Sequence, residues 1–71
     1  MEGKLQRIVG RNLRRHRLEQ GYSQEAFAER VGVHRTYFSS VERGERNLTL
    51  QTLEKLADFL GVDPRDLLSD P

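Results

Sequence analysis

Ser23-Gln24-Glu25-Ala26-Phe27-Ala28-Glu29-Arg30-Val31-Gly32-Val33-His34-Arg35-Thr36-Tyr37-Phe38-Ser39-Ser40-Val41-Glu42-Arg43-Gly44 is the stretch that decides how the whole chain reads. It spells two short helices joined by a tight turn. Ser23 offers a hydroxyl cap to the first, leaving Gln24 at the first helical position. Phe27, Ala28 and Val31 then share one face. Gly32 stops that helix where a residue without a Cβ is needed. The second helix begins near His34, buries Phe38 and Val41, and stops at Gly44. Between its apolar positions it displays Arg35, Thr36, Ser39, Ser40 and Arg43.

A small residue at 28, a glycine four positions later, and apolar residues at 27, 31, 33, 38 and 41 form the pattern of a helix-turn-helix over residues 23–44. Ala28 has to be small because the second helix crosses the first close to it.

Outward from this unit, helix 1 is expected from Gly3 to Glu19. Leu5, Ile8, Val9, Leu13 and Leu18 form its apolar stripe. Beyond Gly44, Glu45 to Leu48 form a short connector, and Thr49 caps helix 4. Leu50, Leu53, Leu56, Ala57 and Leu60 face the core, and Gly61 closes that helix. Asp63 and Pro64 open a last helical turn, with Val62 stapled onto Leu67. Five helices and short connections predict an all-α domain spanning residues 1–71. Ten leucines among 71 residues supply most of a small core.

The charge is polarised. Residues 1–20 set Lys4, Arg7, Arg11, Arg14, Arg15 and Arg17 against Glu2 and Glu19, whereas residues 49–71 set Lys55 and Arg65 against Glu54, Asp58, Asp63, Asp66 and Asp70. Such a gradient turns one end toward a polyanion. With no cysteine and two isolated histidines, neither a disulfide framework nor a metal site is expected. Nor is a cofactor, a small-molecule ligand or a membrane; no apolar run is long enough to span one, and the expected location is the cytoplasm. No nucleophile–base or paired-carboxylate constellation points to an enzyme. Arg17, one turn from the end of helix 1, is expected to pair with Glu42 and neutralise a carboxylate that would otherwise face phosphates.

Leu13-Arg14 to Arg17, Gln20-Gly21-Tyr22-Ser23-Gln24, Ala28, Gly32-Val33, Glu42-Arg43-Gly44 and Leu53 to Val62 resemble the five-helix, lambda-repressor-like domain of phage repressor and Cro proteins. Arg35 to Asn47 is similar to the controller proteins of restriction–modification systems. His34 departs from them, since controllers often carry Asp there and a neutral imidazole is a poorer cap. The resemblance implies a homodimer on a pseudo-palindromic operator in double-stranded DNA, autoregulating by activation from one operator and repression from a second. It also implies base readout by Arg35, Thr36, Ser39 and Ser40. Phosphate contacts are expected from Gln24, His34, Tyr37, Arg43, Arg46 and Asn47. The dimer surface is expected within residues 56–71, from Phe59, Val62, Leu67 and Leu68, because Phe59 projects away from the core face of helix 4. The alternative is a small repressor or antitoxin of the same fold that also binds a protein.

Overall fold

Capping chemistry sets the element boundaries in the computed structural model, which describes residues 3–70. Five helices follow in order: α1 Lys4–Glu19, α2 Gln24–Val31, α3 Arg35–Glu42, α4 Leu50–Leu60 and α5 Pro64–Leu68; no strand occurs among the described residues. The Ser23 hydroxyl accepts from the Ala26 N–H at 3.0 Å, and Thr49 Oγ1 accepts from the Thr52 N–H at 3.0 Å. Each satisfies one of the free donors of a helix start. Asp63 Oδ1 accepts from the Arg65 N–H at 2.9 Å, with Pro64 in the first turn. Hydrogen bonds from the Arg65 side chain and backbone hold the Asp63 carboxyl down to about 2. α3 has no such cap: His34 occupies the position and accepts no bond through its side chain. At the turn, Gly32 takes φ 86°, and the N–H groups of Gly32 and Val33 both return to the Ala28 carbonyl. A side chain at that φ would be strained, so glycine is what lets α3 leave α2 so sharply.

The core gathers Leu13 of α1, Phe27 and Ala28 of α2, Phe38 and Val41 of α3, and Leu53, Leu56 and Leu60 of α4 over Leu67 of α5. The Phe27 and Phe38 rings meet at 5.2 Å between centroids, and Tyr22 sets its ring against Phe27 at 5.6 Å. Each fully buried large apolar side chain contributes about 1.5–3 kcal/mol. α1 packs against both α3 and α5, and so spans the molecule.

Three expected core residues lie outside it. Leu18 is 54% exposed; five residues at roughly 100° each place it about 140° from Leu13, on the basic side of α1. Leu50, 77% exposed, and Leu5 point the right way but sit in the first turn of their helices, past the end of the core. Asn12 and Arg17 instead fill buried positions on α1. Gly3 caps α1 in a left-handed conformation and lies outside the helix.

Gly10 sets the distance between α1 and α3. A Cβ there would stand 2.4 Å from the Glu42 carbonyl oxygen and 2.8 Å from that of Val41. Asn12 ties the other side: its Nδ2 donates to the carbonyls of Leu67 at 2.9 Å, Ser69 at 2.8 Å and Asp66 at 3.3 Å. Gln20 Nε2 donates in the same manner to the Leu60 carbonyl at 2.6 Å. Both amides satisfy acceptors left free where α5 and α4 end.

Candidate nucleic-acid interface

The end of α3 is fixed from behind by a buried ion pair. Arg17 Nε donates to Glu42 Oε2 at 2.7 Å and Arg17 Nη2 to Oε1 at 3.0 Å, with the two residues only 4% and 8% exposed. Arg17 Nη1 also donates to the Tyr22 carbonyl at 2.8 Å, and Gln24 Nε2 donates to Glu42 Oε1 at 2.9 Å. One carboxylate therefore binds the end of α1, the start of α2 and the last turn of α3 together. Its charge is cancelled on the spot.

With Glu42 neutralised, the outward side of α3 is cationic and polar. Arg35, Thr36, Ser39 and Arg43 fall within about 100° of arc, counting roughly 100° per residue. They line one shallow depression. Arg35 and Thr36 are exposed, and neither makes a side-chain hydrogen bond among the described residues, whereas Arg43 is engaged. Arg43 Nη1 donates to Ser39 Oγ at 2.7 Å, and its Nε and Nη2 donate to the Glu45 carboxylate at 3.1 and 3.2 Å. Those hydrogen bonds hold the Glu45 carboxyl below its ordinary value, so the pair stays charged at neutral pH.

Ser40 requires a correction. It is buried, donates from Oγ to the Tyr37 carbonyl at 2.6 Å and accepts from Arg46 Nε at 3.0 Å. It lies at the edge of the outward strip, about 40° from Thr36 at roughly 100° per residue, where it is bonded to Arg46 and can position that side chain. Tyr37 is half-buried against the core, with the Arg46 guanidinium 5.7 Å above its ring. Asn47 accepts from Gln6 of α1 through its side chain, and His34 is exposed beside the turn. Gln24 is directed inward to Glu42, which leaves its second amide hydrogen for another acceptor.

The residues expected at the partner surface differ in exposure. Leu67 is completely buried in its own core, because the turn at Asp63–Pro64 folds α5 back onto α1, so it has nothing to offer a second molecule. Phe59 and Val62 are half-buried against the core, and the Arg30 guanidinium covers the Phe59 ring at 5.8 Å. Leu68 remains exposed. It joins Leu5, Val9, Leu48 and Leu50 around an apolar groove of about 200 Å3 between α1, the start of α4 and the end of α5.

Sequence reasoning missed Asn12, Gln20 and Gly10. Asn12 was legible as a polar residue inside the apolar arc of α1, between Ile8 and Val9 on the helical wheel. Gln20 and Gly10 act through distant backbone, for which local sequence carries no signal.

Comparison with known proteins matches this arrangement. The helix-turn-helix family profile covers residues 13–67. Control protein C.BamHI of Bacillus amyloliquefaciens is 42% identical over 69 residues, 96% of this chain and 85% of that protein. The crystal structure of the restriction–modification controller protein C.AhdI from Aeromonas hydrophila superposes with a TM-score of 0.80 at 42% identity, covering 87% of this chain and 94% of that one. The biofilm regulator SinR, solved in complex with DNA, superposes with a TM-score of 0.79 at 39% identity over 86% of this chain and 98% of its own. The chain belongs to the helix-turn-helix family of DNA-binding transcriptional regulators, none of them enzymes, and is homologous to restriction–modification controller proteins.

Proposed function

We propose that the protein is the autoregulatory controller of a restriction–modification locus, acting as a dimer on a pseudo-palindromic operator upstream of its own gene. The observation that carries this is the outward strip Arg35–Thr36–Ser39–Arg43 on a helix whose one carboxylate is neutralised from behind. The likeness to C.BamHI and C.AhdI supports the controller role.

In this reading α3 enters the major groove. Arg35 takes O6 and N7 of a guanine, a bidentate contact worth about 1–3 kcal/mol of discrimination. Thr36 meets a thymine methyl or a base edge, and Ser39 lets the helix lie close. Arg43, Arg46 and Asn47 flank the helix along the backbone, the start of α2 with Gln24 offers its amides to a phosphate, and His34 and the Tyr37 hydroxyl complete the set. A second copy seats against the apolar groove at Leu5, Leu50 and Leu68, and half-sites one turn of DNA apart require the two α3 helices about 34 Å from each other.

Footprinting on the DNA upstream of the gene tests the reading. Two related half-sites should be protected. Arg35→Ala should abolish that preference while weak, salt-sensitive binding to random duplex persists. Equal losses on operator and random DNA would reassign Arg35 to the backbone, and no protection would remove the autoregulatory role.

A further inference from the structure

Apart from Arg17, which is committed to Glu42, the basic residues of α1 have no part in the helix-turn-helix. Lys4, Arg7, Arg11 and Arg14 are all exposed and recur at spacings of three, four and three, within about 80° of arc on the helix. No acidic residue occurs between Lys4 and Leu18, so none of these cations has a helical partner three or four positions away on that face. The arrangement opposes the helix itself. Its first turn contains no acidic residue, where the helix dipole favours one, and cations follow one another at repelling distances. Solubility alone would be served equally well by mixed charges.

Placement gives the row its meaning. Arg7 lies directly against the end of α3: a Cβ on Gly44 would stand 2.8 Å from Arg7 Cγ and 2.9 Å from Arg7 Cα. Lys4, Arg7 and Arg11 converge with Arg43 around a concavity of about 210 Å3. Glu42 also borders it, but that carboxylate is occupied by Arg17 and Gln24. Arg43 also belongs to the outward strip of α3, so it links that strip to the α1 row, with Glu45 as its exposed counter-charge. Among the described residues the opposing contacts are exposed pairs, Arg11 Nη2 to Asp70 Oδ1 at 3.5 Å and Arg43 Nε to Glu45 Oε2 at 3.1 Å, which water and salt screen readily.

We propose that the α1 face is a second phosphate track, gripping the DNA backbone beyond the phosphates reached by α3 and its flanks. The inference rests on the DNA-binding reading and adds a contact surface outside the helix-turn-helix. It predicts affinity without sequence preference, since point charges on phosphates carry no base information.

The probe is a duplex of about three helical turns that the protein itself enriches from a random pool. Binding is measured over a salt series for the full chain and for the triple variant Lys4→Gln, Arg11→Gln, Arg14→Gln. Arg7 is kept because its stem packs beside Gly44. The log–log salt slope should become shallower by about 2–3 per protomer, and so by about 5 for the dimer on its two half-sites, at roughly 0.9 for each phosphate no longer neutralised, with base preference unchanged. Backbone protection by hydroxyl-radical cleavage should shrink to the half-sites. The charge-conserving variant Lys4→Arg, Arg11→Lys, Arg14→Lys should restore slope and protection. An unchanged slope and footprint in the glutamine variant overturns the track, as does a loss that the charge-conserving variant fails to restore. If the wild-type chain enriches no sequence, it is the DNA reading that fails, and the track with it.

Discussion

Glu42 accepts three hydrogen bonds, two from Arg17 and one from Gln24, in a place where water cannot replace them. Removing either ionic partner strands the other. Glu42→Ala should therefore cost about 3–5 kcal/mol of stability, the usual penalty for leaving a buried charge unpaired. Adding Arg17→Ala should cost little more, because the stranded guanidinium goes with it. Thermal or urea unfolding of the two single variants and the double variant measures this, and strictly additive losses would show that the residues act separately. Glu45 holds Arg43 in a comparable fork but at the surface, where a phosphate can compete for the same guanidinium. Two acidic residues three positions apart thus have different jobs: one builds the helix end, and the other sets how readily its arginine is released.

At the scale of elements, the approach of α1 to α3 is the tightest packing around any described glycine, and it reverses an ordinary expectation. Alanine usually improves a helix interior relative to glycine by about 1 kcal/mol. At Gly10 the new methyl would collide with the backbone of Val41 and Glu42. Gly10→Ala should instead destabilise by about 1–3 kcal/mol, as overpacking does, and should weaken operator binding by tilting α3. A stability gain in the melting curve would show that the helices can part freely. Such contacts explain what was readable from sequence. Caps at Ser23, Thr49 and Asp63 and the turn at Gly32 depend on neighbours a few positions away, and local pattern revealed them. Arg17 with Glu42 was legible because an acidic residue on that helix needed a reason. Leu50 and Leu67 were not, since apolar periodicity gives a direction and not a depth. One points toward the core from beyond its end, and the other is enclosed by a turn that folds α5 inward. Ser40 is similar: it adjoins the readout positions on the helix, and local pattern carries no sign that Arg46, six residues on, returns to bond it.

The whole molecule leaves its largest exposed leucine, Leu50, at the rim of a groove shared by α1, the start of α4 and the end of α5. A second copy seated there would hide it. Because Leu50 contributes little to the monomer core, Leu50→Glu should give a folded monomer with a nearly unchanged melting temperature and lost operator affinity, read by sedimentation and by titration with the operator. A dimer that survives would move the interface to the Phe59 side. Closure of the monomer itself runs through Asn12, whose acceptors stand 54 to 57 residues further along the chain. A ribosome makes α1 first, so this amide must wait for nearly the whole translation before it finds its partners. Residues 66–69 are in that sense the latch of the fold. Contacts of such long span slow folding relative to local ones. A nascent chain stalled before Asp66 thus holds a complete recognition segment against a helix whose other side has no α5 to close on it.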